Sequence, residues 1–175
     1  SRQQVFGRDQ TIDVVALTKD RGACDCSIVT SLDAGGGARP LLPKALCDTG
    51  SSANLITLKV VTDVLGLQVD KTTNRLVLPS PRPPWLVGFK TLPDGEGYTS
   101  AAGSEHVVHY LKDAVTIELR IQDSDSLRWY PTQVTLKVSP RNLGSTGILL
   151  GRPFLHDNDG IIDIHGCEIL WRKMG

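Results

Sequence analysis

Residues 48 to 52 read Asp-Thr-Gly-Ser-Ser, inside the longer stretch ALCDTGSSANLI at 45–56. Asp48 is the carboxylate of this stretch, a group that can take or give a proton. Ala45 and Leu46 precede it, and Leu55 and Ile56 follow, so a short polar turn lies between two apolar segments. As a turn, Asp-Thr-Gly is good chemistry, because an Asp side chain accepts from backbone amides two residues on. The apolar flanks point the turn inward, where a carboxylate is costly unless it is hydrogen-bonded or paired. A carboxylate kept in such a place is a candidate for general acid–base work. Thr49, Gly50, Ser51 and Ser52 complete the candidate loop. Ser51 and Ser52 suit contact with a ligand, and they equally suit a turn or a helix entry.

Other chemistry-bearing residues make weaker patterns. His106 and His109 with Cys24 and Cys26 could make up a zinc site, but C-x-C is shorter than the usual spacing. Alternating strand positions explain the two histidines more simply. HDNDG at 156–160 lacks the spaced acidic ligands of a calcium loop and reads as a turn. Neither a metal nor a cofactor is expected. Cys47, next to Asp48, is read as a packed thiol that could make the site sensitive to oxidation.

The elements that position this loop follow from composition and pattern. The 175 residues suit one domain, 1–175, with a Pro/Gly-rich insertion at about 70–112. Lys plus Arg equals Asp plus Glu, 19 each, which argues against an electrostatic grip on nucleic acid. No apolar run is long enough to span a membrane. Four cysteines fit a reducing, intracellular compartment better than a disulfide framework.

TIDVVAL at 11–17 predicts a first strand. CSIVTSLD and LLPKALCD predict two strands joined by a turn at AGGGARP. Leu58, Val61 and Leu65 are spaced as on a helix that Thr57 can cap and Gly66 can end. Residues 78–106 carry five of the ten prolines, which excludes a central strand and predicts an irregular excursion holding a hairpin arm. AVTIELRI and TQVTLKVS then alternate strictly, with Val115, Ile117, Leu119 and Ile121 on one face and Val134, Leu136 and Val138 on another. GILLG at 147–151 reads as a strand buried on both faces, followed by a short helix near Pro153 to His156. IIDIHGCEILW ends the pattern as two short strands around His165-Gly166.

Two of these segments together carry a resemblance. LCDTGSSANLI resembles the catalytic loop of retropepsin-like aspartic proteases, and GILLGRPFL at 147–155 is similar to the strand that crosses beneath that loop. Ty3/gypsy-like and BEL-like retroelements carry similar stretches, and a domesticated cellular copy is equally compatible. The resemblance implies a mainly β fold, a closed barrel of the acid-protease type with one lobe per chain. It implies an aspartic endopeptidase with Asp48 as catalyst and Thr49, Gly50, Ser51 and Ser52 as the active-site loop. Leu149, Leu150, Gly151 and Arg152 would support that loop, and Val87, Gly88 and Phe89 would begin a substrate-covering flap. The flap tip would fall within GEGYTSAAGSE.

One Asp-Thr-Gly per chain implies a homodimer, since the chemistry takes two carboxylates. The substrate would be an extended peptide or polyprotein segment, in the cytoplasm or within a retroelement particle. Viral members carry an Asp where this chain has Ser52, so Arg152 is expected to pair with Asp157, Asp159 or the other subunit. The alternative is a catalytically silent module of the same fold, kept for dimerisation or peptide binding.

Overall fold

The computed structural model describes residues 2–6, 10–20, 25–99 and 107–174. Among these residues seventeen strands and two short helices make the structure mainly β. β1 (Arg2–Phe6) and β2 (Gln10–Val14) form an antiparallel pair. The first predicted strand is broken at Val15, and its second half, β3 (Ala16–Lys19), joins a different sheet. β4 (Ser27–Ile28) and β5 (Thr30–Ser31) come next, then β6 (Ala45–Cys47), β7 (Leu55–Thr57) and helix α1 (Leu58–Asp63). The Thr57 hydroxyl accepts from the Val60 amide at 3.2 Å, which caps α1 as expected.

β8 (Gln68–Asp70) and β9 (Arg75–Val77) make a hairpin. After them come β10 (Leu86–Thr91), β11 (Gly97–Thr99), β12 (Val107–His109), β13 (Asp113–Gln122) and β14 (Trp129–Ser139). The chain ends with β15 (Ile148–Leu150), α2 (Arg152–Asp157), β16 (Gly160–Asp163) and β17 (Glu168–Trp171).

The main sheet runs in the order β10-β13-β14-β7-β15-β6-β4, with β5 on the edge of β13. The closed barrel is not formed. The segment 27–31 changes partner at Val29, giving two residues to β6 and two to β13, so no continuous ladder runs around the sheet. The alternating pattern of β13 and β14 is realised. Val115, Ile117, Leu119 and Ile121 are completely buried, and each contributes roughly 1.5–3 kcal/mol. One apolar cluster extends from Ala16 to Trp171, so the inserted segment shares the main core rather than making its own.

The proline-rich stretch is more ordered than an irregular excursion. Trp85 and Leu86 are buried in that cluster, and the Trp85 carbonyl accepts from the Glu118 amide at 2.8 Å. Arg75 forks onto Asp113 through Nε and Nη2 at 2.9 and 2.8 Å, and the same carboxylate accepts from the Leu76 amide. This pair ties the β8–β9 hairpin to the main sheet. The Arg75 guanidinium holds the Asp113 carboxyl below its ordinary range, chiefly through the hydrogen bond. β17 lies between β3 and β16, paired on both sides. Its four residues are buried, Trp171 completely.

Candidate active site

Asp48 stands at the point where β6 ends. β15 is inserted between β6 and β7, parallel to the first and antiparallel to the second. The Asp48 amide donates to the Leu150 carbonyl at 2.9 Å, so the strand that follows the turn far along the chain fixes where the carboxylate begins. Asp48 is half-buried. Its Oδ1 accepts from the Gly50 amide at 2.8 Å, the expected local turn bond. The Ser51 hydroxyl is turned inward onto the Ala53 carbonyl at 2.7 Å.

Beneath the loop lie Leu149, Leu150, Gly151 and Arg152, the residues to which the resemblance gives that place. Gly151 donates its amide to Asn54 Oδ1 at 2.9 Å, and the Arg152 amide donates to the Ser51 carbonyl at 2.9 Å. A Cβ at Gly151 would lie 2.4 Å from the Ala53 carbonyl oxygen and 2.6 Å from that of Ser51, so only glycine fits. Asn54 is a buried member of this support that the pattern reading missed. Its amide side chain after a Ser-rich turn was the available signal.

Arg152 does not pair with Asp157 or Asp159. Its Nη1 donates to the Thr49 carbonyl at 3.2 Å, because the helix start brings the guanidinium under the loop. Asp159 pairs instead with Arg172, and Asp157 lies beside His156.

A cleft of about 620 Å³ opens over Asp48. Gly50, Ser51 and Ser52 share its floor with Leu55 and Leu149. Gly97, Tyr98 and Thr99 of β11 form its roof with Tyr110, and Asn142, Leu143 and Gly144 form a side wall. Asp48 is the only ionisable carboxylate lining this cleft among the described residues.

Val87, Gly88 and Phe89 are not part of the roof. They lie on β10 in the ladder with β13, Gly88 opposite Thr116 and Phe89 opposite Val115. The covering hairpin is β11–β12, with Tyr98 opposite Val108. A Cβ at Gly97 would come within 2.4 Å of the Val108 carbonyl oxygen, so glycine permits the close pairing of its two strands. Residues 100–106, which include His106 and the second half of the stretch GEGYTSAAGSE expected to hold the tip, lie outside the described residues, as does Cys24.

Cys47 is buried behind Asp48, and burial pushes its thiol up, with Cys26 adding to the rise. Cys26 and Cys47 are free thiols, whereas Cys167 is disulfide-bonded, so the expectation of four reduced cysteines fails at the turn between β16 and β17. Among the described residues no group of three or more His, Cys, Asp or Glu is placed to hold a metal ion. No helix among them is long and apolar enough to cross a membrane. Comparison with protein families and with curated proteins returns no match.

Proposed function

We propose that this chain is one half of a dimeric aspartic endopeptidase of retropepsin-like type. The observation that carries the reading is Asp48, half-buried and oriented by the Gly50 amide, the one carboxylate among the described residues that line a cleft beside the β11–β12 hairpin. A cleft of this form suits an extended peptide laid as a strand between floor and roof. One carboxylate cannot serve as both acid and base in a single step. A second Asp48, brought by a two-fold related copy, supplies the other role. Two carboxylates about 3 Å apart cannot both ionise, so they hold one proton between them. The ionised partner takes a proton from water, the water oxygen attacks the peptide carbonyl, and the protonated partner donates to the carbonyl oxygen. Collapse of the tetrahedral species breaks the C–N bond, with a proton delivered to the leaving amine.

The exposed Thr49 supports the same reading. Its hydroxyl makes no hydrogen bond within the chain among the described residues, which leaves it for a partner loop. Processing of a polyprotein or limited proteolysis in a cell or a retroelement particle fits this chemistry. A second reading is the silent dimerisation or peptide-binding module, and its peptide-binding form is favoured by β17. That strand is satisfied on both edges within its own chain and offers no edge for pairing between subunits.

Cleavage of a diverse peptide library over roughly pH 3 to 8 separates the two. The enzyme reading predicts turnover with a bell-shaped pH profile, falling where the pair is doubly protonated and where it is doubly ionised. Peptide binding without turnover at any pH would establish the silent module instead.

A further inference from the structure

The hairpin over the cleft is clasped at its base. Tyr98 Oη and Ser139 Oγ lie 2.9 Å apart. Ser139 is completely buried at the end of β14, and its hydroxyl also donates to the Arg141 carbonyl at 2.7 Å and accepts from the Arg141 amide at 3.3 Å. A serine hydroxyl has one hydrogen and two acceptor positions. The hydrogen is used on Arg141, so Tyr98 is the donor of the pair, and the Ser139 oxygen is then fully satisfied. A second pin lies beside the first. Lys137 Nζ is 2.9 Å from Glu96 Oε2 and 5.5 Å from the centre of the Tyr110 ring, and Tyr110 stacks on Tyr98 with centroids 5.6 Å apart. The Tyr110 amide closes the base of the hairpin on the Glu96 carbonyl at 3.1 Å.

The turn that begins at Arg141 carries Asn142, Leu143 and Gly144, the side wall of the cleft. Ser139 therefore stands between roof and wall and is bonded to both. We infer that Tyr98 is a positioning residue: through the buried Ser139 hydroxyl it locks the β11–β12 hairpin to the 141–146 turn, so that roof and wall hold a bound peptide as one unit. The assignment of a peptide to this cleft rests on the reading above, while the mechanical coupling does not.

Tyr98→Phe in the full chain removes the hydroxyl and keeps the stack on Tyr110. Hydrogen–deuterium exchange is measured for 97–99, 107–110 and 141–146, with 115–121 of the core as the internal control. Loss of one hydrogen bond predicts exchange roughly five- to tenfold faster in the hairpin and in the turn together, with the core unchanged. Ser139→Ala should act on the same two segments, and the double variant should be no faster than the faster single variant.

Pepstatin, as a probe of the cleft, should dissociate faster from Tyr98→Phe by a similar factor. For a cleaved peptide the loss should fall on KM, with kcat held within about twofold. Acceleration confined to the hairpin, additive effects in the double variant, or no acceleration would overturn the coupling. Unchanged pepstatin release and KM despite faster exchange would overturn the positioning role. If wild type neither binds pepstatin nor cleaves, the peptidase reading and with it the positioning role fall, and the exchange data decide the coupling alone.

Discussion

Gly151 is where the Asp48 loop and the strand behind it come into close contact. The carbonyls of Ser51 and Ala53 occupy the space a side chain would need. Gly151→Ala must push the loop away from β15 and loosen the bonds from Gly151 to Asn54 and from Arg152 to Ser51. Overpacking of this kind costs about 1–3 kcal/mol. Urea denaturation should show that loss, with slow or absent recovery of any function that depends on Asp48. A Gly151→Ala chain as stable as wild type would mean that the loop yields freely and is not held by this contact. Asp48, Leu149, Leu150 and Gly151 were all legible in the amino-acid pattern, because a turn between apolar strands and a short apolar run ending in glycine are local signals. The partner of Arg152 was not legible. A guanidinium can reach a carbonyl as readily as a carboxylate, and only the placement of α2 under the loop selects Thr49.

At the level of elements, the Arg75–Asp113 pair connects β9 to β13 and also reaches Thr91 of β10 through Nη2 at 3.0 Å. The Asp113 carboxyl is held below its ordinary value of 3.8. A carboxyl depressed in the folded state adds stability above its unfolded value, and that stability fades as the pH falls through the folded value. Asp113→Asn should therefore lower Tm near neutral pH, and the difference from wild type should shrink as the pH falls below 3.8 and onward. A difference that stays constant down to the lowest pH at which the fold survives would assign the effect to shape rather than charge.

The strands β13 and β14 were readable because one face is apolar and the other polar, a period of two that survives any tertiary context. β10 was misread as the start of a flap for the opposite reason. The proline run before it signals surface, yet the run stops at Pro84, Trp85 plugs the core, and the ladder with β13 resumes after a register shift between Leu86 and Gly88. The β8–β9 hairpin has a local signal of its own, the turn DKTTN, in which Asp70 Oδ1 accepts from the Thr72 amide at 2.8 Å and Asn74 takes a positive φ of 57°.

For the molecule as a whole, the proposed chemistry needs two chains, and the final strand cannot join them. Trp171 and Leu170 are completely buried, and β17 is flanked by β3 and β16. The dimer proposed above would then meet at the Asp48 loop, where Thr49 is exposed. Sedimentation at micromolar concentration should reveal a dimer, and Thr49→Ala should weaken it while the isolated chain keeps its fold, since among the described residues Thr49 contributes only its carbonyl, to Arg152. A strictly monomeric protein with full peptidase activity would contradict the two-carboxylate mechanism outright. The measurement that bears most directly on the central claim is turnover of one well-cleaved peptide by wild type and by Asp48→Asn, each at matched dimer concentration. Asparagine keeps the size of the side chain and an oxygen for the Gly50 amide but supplies no base in either subunit. Turnover should fall at least about 1,000-fold with the dimer intact; equal turnover by the two proteins would contradict a catalytic role for Asp48.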